Sequence, residues 1–355
     1  MSMSYEQIAD LPLVVDDVTF ERRERDTSSG FTRATTVITL SGDGETGRGE
    51  DVTYDTPEHD PATWDTLDLA LAGEYTLDSF SDTLADADLF PDPPDREVFE
   101  NYRRWGFESA ALDLALAQAD TTLGAALGRA VDPVRFVVST RLSEAESDAP
   151  PSTDRVHRLL DAYPGTEFKL DPTPDWTDAV IDDLAATGAV RTLDFKGHYQ
   201  GTEVDTPPDP ALYERLLDAF PEAVIEDPAL TDETRPLFDG HEGRVAWDAP
   251  IHGIDDVEAL PFEPDWLNIK PSRFGSVESL LDTIDYCEER EMTMYGGGQF
   301  ELDVGRRHLQ LLAALFYPDA PNDVAPGGYN DPDPAAGLPT SPLELAVPDR
   351  GLTPE

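Results

Sequence analysis

The chain has 355 residues, with 74 Asp+Glu against 25 Lys+Arg, and a formal net charge of −49. So negative a surface repels nucleic acid and anionic lipid, which are bound through cationic side chains, and both partners are excluded. A hydrophobic content of 39% with 9% aromatics is enough for a sizeable core. The charge therefore does not mark a disordered acidic chain, and the length suits two domains or one large α/β barrel with an appendage.

Of the 25 cations, 22 are Arg and only three are Lys: Lys169, Lys196 and Lys270. An acidic, lysine-poor composition resembles that of a protein from a salt-loaded cytoplasm, such as a halophilic archaeon's, where concentrated salt screens carboxylate self-repulsion. The single cysteine, Cys287, excludes an intrachain disulfide and a Cys-based zinc cage. The opening segment MSMSYEQIADLPLVV lacks a basic region followed by a long apolar run. No stretch approaches the roughly 18 consecutive apolar residues of a membrane span. The expectation is a soluble, cytoplasmic protein.

Residues 1–60 read as β-rich, with TRATTVITLSGDGETGRGEDVTY alternating apolar and polar residues around a turn at Gly42–Gly44, as in a hairpin or meander. After the Pro-rich FPDPPD (90–95), the segment FESAALDLALAQADTTLGAAL reads as one helix, with Ala111, Leu112, Leu114 and Leu116 at helical spacing and Gly128 closing it. From Val134 the pattern changes. The short apolar runs RFVVSTRL, TEFKL, VRTLDFKG, EAVIED, RVAWDAP, DWLNIKPS, MTMYGGG and DVAPGGY alternate with amphipathic segments such as DRVHRLLDAY, TDAVIDDLAATG, PALYERLLDAF and VESLLDTIDYCEERE. Eight strands alternating with helices predict a (β/α)8 TIM-type barrel. A doubly wound sheet shares much of this alternation, but no G-x-G-x-x-G or Walker A sequence is present. SPLELAVPDRGLTPE reads as an extended strap returning to the first domain. The expected division is 1–130 with the strap 331–355, and 131–330 for the barrel.

In such a barrel, functional side chains sit at the C-terminal strand ends. In order these are Lys169, Asp194, Glu226, Asp248 and Lys270, each about one β/α unit after the last. Three consecutive strands end in carboxylates, and the flanking strands carry lysines. An all-oxygen set at one point suits Mg²⁺, with Mn²⁺ as the alternative. Among 74 acids, any single Asp is ordinarily a solvated surface group. Three at successive strand ends, each behind apolar residues, are not explained that way. The lysines sharpen the point, because a chain nearly devoid of lysine keeps three, all at predicted strand ends. Each has a structural reading as the partner of a neighbouring carboxylate, stronger for Lys196 than for Lys270. A lysine beside a divalent cation has its charged form disfavoured, which moves it towards the range of a general base.

The strings DFKG, IEDP, DAP, NIKPSRFG and GGGQFELDVG resemble the enolase superfamily, and most closely its muconate-lactonizing (chloromuconate cycloisomerase) and o-succinylbenzoate synthase group. GDGETGRGE resembles that family's capping meander, and the SSGFTR loop with Arg33 its specificity loop. The resemblance implies an N-terminal α+β capping domain over a modified (β/α)7β barrel, with Mg²⁺ held by Asp194, Glu226 and Asp248. It also implies abstraction of the proton α to a carboxylate, giving a metal-stabilised enediolate, a small carboxylate substrate, and a homo-oligomer. Lys270 matches the strand-six base, Lys169 the first lysine of a strand-two K-x-K, and Glu301 a carboxylate near the last strands. The second K-x-K position is Asp171, and the usual D-x-N is D-x-K with Lys196 at its third position. Asp194 and Lys196, two apart on a strand, are expected to share a face. Lys196 either replaces the missing base or pairs with Asp171.

With K-x-K incomplete, the pattern favours a lyase or cycloisomerase over a racemase or epimerase of acyl-amino acids or dipeptides. A non-catalytic relative that binds an acidic metabolite, and a different Mg²⁺ barrel such as an aldolase, are the other readings. His198 and His252 follow strand ends, Trp247 and Trp266 read as packing residues, and Gly296–Gly298 permit a close approach or a tight bend.

The composition makes one prediction independent of the site. The chemical-denaturation midpoint is expected to rise clearly between dilute buffer and molar KCl, and a midpoint that does not move contradicts the salt-adapted reading.

Overall fold

The computed structural model of the chain describes residues 3–142, 150–199 and 206–352; residues 353–355 of the expected strap lie outside them. In the N-terminal part, β1 (Pro12–Val15) pairs antiparallel with β5 (Gly73–Thr76). Between them β2 (Asp17–Asp26), β3 (Thr32–Gly42) and β4 (Glu45–Asp51) form an antiparallel meander. The β3–β4 turn is Asp43–Gly44, both at positive φ, +50° and +81°, a two-residue turn whose twist matches that of the strands it joins.

The helix Val98–Gln118 lies across β4. It approaches so closely that a Cβ at Gly49 would sit 1.9 Å from the Gly106 carbonyl oxygen, and one at Gly47 2.2 Å from the Leu114 nitrogen. That contact explains the glycines of GETGRGE. The helix expected over 107–128 therefore begins earlier and is broken. It stops at Gln118, Asp120 turns left-handed with φ +50°, and a separate helix Leu123–Leu127 starts where the Thr122 side chain accepts from Ala125 N. Asp and Thr compete for backbone hydrogen bonds, which favours a cap here over continued helix.

Seven parallel strands form the second part: β6 (Val137–Thr140), β7 (Glu167–Leu170), β8 (Val190–Asp194), β9 (Val224–Glu226), β10 (Val245–Trp247), β11 (Trp266–Ile269) and β12 (Thr293–Gly296). They hydrogen-bond in sequence order. The eighth expected run, DVAPGGY, forms no strand. Asn322 and Asp323 nonetheless bridge the remaining gap, with Val137 N donating to Asn322 O, Asp323 N to Gly296 O and Gly296 N to Asn322 Oδ1. This is a cap followed by a (β/α)7β barrel, as the resemblance implies, with seven parallel strands where the alternation alone predicted eight. Residues of the strap reach the first part: Gly351 N donates to Thr121 O, Leu352 N to Asp113 Oδ1, and Arg350 pairs with Glu45. No helix among the described residues is long and apolar enough to cross a membrane.

His308, on the helix Val304–Phe316, is buried, and neither ring nitrogen has a hydrogen-bond partner among the described residues. Burial, with Arg307 and Arg48 nearby, pushes its imidazole down to about 3. Below pH 6.5 the unfolded chain takes up a proton that the folded chain refuses. Stability is therefore complete above pH 6.5 and falls towards pH 3, by about 1.4 kcal/mol per pH unit. His308→Leu is expected to lose less melting temperature between pH 7 and pH 5 than the unaltered protein; parallel losses contradict this.

Candidate metal centre at the barrel strand ends

The three carboxylates converge. Asp194 and Glu226 are register partners at the ends of β8 and β9, and Asp248 follows β10. One oxygen of each lies within 4.8 Å of the others, and all three residues are fully buried. Each neighbouring strand end contributes a cation or a donor. Lys169, inside β7, places its Nζ 2.5 Å from Glu226 Oε1 and 3.1 Å from Asp194 Oδ2. Lys196 Nζ bonds Asp194 Oδ2 and lies 3.7 Å from Asp171. Lys270 Nζ donates to Asp248 Oδ2 at 2.8 Å. All three lysines thus reach the triad.

Local sequence explains two of these placements. Pro271 opens the turn of helix 271–274, and the residue before a proline is held extended. Lys270 accordingly has φ −111° and ψ 99°. Its side chain needs the room left by Gly297, where a Cβ would lie 2.8 Å from Lys270 Cε, and a Cβ at Gly298 would lie 2.2 Å from Glu301 Oε2. The GGG run is therefore clearance for side chains of the site, and none of its φ values is left-handed. Lys196 departs from the expected geometry: it lies beyond the strand with φ +54°. It reaches Asp194 by curling back, not by sharing a strand face.

Several site residues were not singled out from the sequence. Tyr295 donates its hydroxyl to Glu226 Oε2, which also accepts from Asn268 Nδ2 at 3.3 Å. Asn268 lies on β11, two before Lys270, which immediately follows the strand. Asp248 Oδ2 accepts from Tyr199 OH at 3.0 Å and from Arg273 at 3.3 Å. Arg273 lies in the quoted NIKPSRFG string, so the signal was present. From the cap, Tyr54 OH donates to Gln299 Oε1 at 3.2 Å and Gln299 Nε2 to Tyr102 OH at 3.0 Å. Arg33 is not on a flexible loop tip but buried in β3, donating to the carbonyls of Val52, Thr53 and Gln299. Glu301 is buried, with Oε1 accepting from Gln299 N and Oε2 3.5 Å from Arg306. His198 is exposed, and His252 pairs with Asp256. Trp247 is fully buried and Trp266 half-buried.

Electrostatics separates the three acids. Burial acts to raise Asp194, but Lys196 and Lys169 hold it well below the usual carboxylate range. Burial likewise opposes ionisation of Asp248, and Arg273 and Lys270 overcome it. Glu226, between the other two, is pushed up by burial and by both neighbouring carboxylates despite Lys169. Lys169 and Lys196 resist their own desolvation because acids surround them, and both are held above the ordinary ammonium range.

A hard divalent cation fits this donor set. The donors are all oxygens, and Asp248 Oδ1 is buried with no hydrogen-bond partner among the described residues, an acceptor that otherwise costs free energy. A shallow cleft of about 280 Å³ between the helices Ile254–Glu258 and Val277–Glu289, lined by Val257, Leu260, Phe262, Tyr286 and Met292, lies away from the strand ends. It carries none of the cationic side chains that mark the triad.

The fold, a cap over a (β/α)7β barrel, is that of solved enolase-superfamily structures. A superfamily member from Listeria innocua superposes with a TM-score of 0.63 at 19% identity, covering 89% of this chain and 86% of that one. A muconate cycloisomerase from Pseudomonas fluorescens gives 0.62 at 16% identity over 88% and 87%. A probable mandelate racemase from Alicyclobacillus acidocaldarius gives 0.61 at 22% over 90% and 84%. The chain belongs to the family described as Domain of unknown function (DUF8230), whose N-terminal domain matches residues 6–126 and whose C-terminal domain matches residues 130–331. It is also similar to two o-succinylbenzoate synthases. That of Bacillus subtilis (strain 168) is 24% identical over 252 residues, 66% of this chain and 62% of that protein. That of Geobacillus kaustophilus is 24% identical over 308 residues, 81% and 76%. The alignment thus spans less than two thirds of the Bacillus relative.

Two ammonium groups share Asp194; without it Lys169 keeps Glu226 and Lys196 keeps only Asp171 at 3.7 Å. Asp194→Ala is expected to destabilise the fold by about 1–3 kcal/mol, read as a lower denaturation midpoint; an unchanged midpoint contradicts the shared ion-pair network.

Proposed function

We propose that the protein is a divalent-metal-dependent lyase or isomerase that removes the proton α to the carboxylate of a small substrate. The observation that carries this reading is the buried triad Asp194, Glu226 and Asp248 with the Lys270 ammonium 2.8 Å from Asp248. The names of the similar proteins, synthase and cycloisomerase, support it. The triad would hold Mg²⁺, or Mn²⁺ in its place. When bound, the cation supplies Lewis-acid stabilisation of the negative charge that develops on the substrate carboxylate, a contribution of several kcal/mol.

The chain's own residues do the rest. Lys270, held extended by Pro271 and given room by Gly297, takes the α-proton on its Nζ after losing its own proton. Lys169 and Arg273 bring positive charge to a substrate carboxylate beside the triad. Glu301, on the loop after β12, contacts substrate or orients a partner. Tyr54, Gln299 and Tyr102 form a hydrogen-bonded chain on the cap side. We assign the cap to residues 1–130 with the strap 331–355, and the barrel to 131–330.

A specific observation favours a second reading, racemisation or epimerisation. Lys196 engages Asp194 while Lys270 engages Asp248, so two amines approach different members of the triad, and two faces need two proton carriers.

The test is solvent exchange. In high salt with Mg²⁺ in D₂O, the protein is to be screened against muconates, succinylbenzoate precursors, acyl-amino acids and dipeptides. Lys270→Ala is expected to abolish α-proton exchange by at least about 10²-fold while retaining metal binding. Retained exchange removes Lys270 from the role. Loss of exchange from only one enantiomer of substrate in Lys196→Ala would favour the two-amine reading.

A further inference from the structure

Asp227 follows the second triad member and was given no role above. It is fully buried, and its backbone is left-handed with φ +49°, an uncommon conformation that Asp tolerates better than most side chains. Its carboxylate reaches to the next strand end, where Oδ1 accepts from Asp248 N at 2.9 Å and Oδ2 from Ala249 N at 2.8 Å. Its own backbone makes two further ties: Asp227 N donates to Ala246 O on β10, and Gly197 N, just past β8, donates to Asp227 O, both at 2.9 Å. The β8 turn comes so close that a Cβ at Gly197 would lie 2.2 Å from Ala229 N. One residue thus joins the three strand ends that carry Asp194, Glu226 and Asp248.

We propose that Asp227 is a positioning residue for the metal centre, bracing the Asp248 backbone through two N–H bonds and so setting the spacing between the second and third carboxylates. This rests on the divalent-cation reading of the triad. Both Asp227 carboxylate oxygens are taken by backbone N–H groups, so the residue acts through Asp248. The two bonds use both oxygens of one carboxyl group, which a shorter side chain or one with a single acceptor does not reproduce.

The experiment measures Mn²⁺ affinity of the full chain in high salt by electron paramagnetic resonance, with melting temperature alongside. Asp227→Gly relieves the left-handed strain while deleting both acceptors, and it is expected to bind Mn²⁺ about 10–100-fold more weakly without a matching loss of melting temperature. Asp227→Asn keeps one acceptor and tolerates the backbone, and is expected to fall between, roughly 2–10-fold weaker. Mn²⁺ binding within twofold of the unaltered protein in the Gly variant overturns the inference. Should the Gly variant fail to fold, the Asn variant decides: affinity equal to that of the unaltered protein overturns the inference, and weakened affinity at unchanged melting temperature supports it. Absence of Mn²⁺ binding by the unaltered protein is a different outcome, which overturns the function proposed for the triad and this inference with it.

Discussion

Everything in the barrel mouth depends on three carboxyl groups buried side by side. Asp194, Glu226 and Asp248 are fully buried, and desolvation alone would force each to stay protonated. What keeps the cluster viable is the surrounding cation set, Lys169, Lys196, Lys270 and Arg273, each bonded to a triad oxygen. In a chain with 74 acidic residues and three lysines, all the lysines are spent on this one place. Such an arrangement is expensive as a stabilising device, since a buried ion-pair network seldom outperforms apolar packing, which is an argument that it serves function.

The fold delivers the cluster by ordinary means. Parallel strands in sequence order bring successive C-terminal ends side by side, so residues one β/α unit apart in the chain become neighbours in space. The cap is packed tightly within itself, through glycines that let β4 touch the helix Val98–Gln118, and meets the barrel where Arg33 holds the Gln299 carbonyl. The Tyr54–Gln299–Tyr102 chain crosses from cap to barrel and back, which ties the loop after β12 to the docking of the two parts.

The strand-end acids were legible because strand spacing is regular and each lies behind buried apolar residues such as Leu193, Ile225 and Trp247. The lysines were legible through their rarity. What the sequence did not reveal is governed by backbone conformation and by contacts across the chain. Lys196 reaches Asp194 only because its φ is left-handed, which periodicity cannot report. The break at Asp120 was signalled by the run Asp120–Thr122, which the apolar periodicity on either side outweighed, and the eighth barrel position is filled by an isolated bridge at Asn322 too short to leave a strand pattern. Arg273, Asn268 and Tyr295 sat inside quoted strings, yet their partners lie on other strands, and only the assembled barrel shows what they hold.

The central claim is that the triad is a cation site. A Mn²⁺-soaked crystal of the full chain, grown in high salt and measured at the manganese edge, tests it most directly. The account predicts one anomalous peak per chain in contact with oxygens of Asp194, Glu226 and Asp248. A peak elsewhere, or none at Mn²⁺ concentrations that saturate the protein in solution, would contradict it.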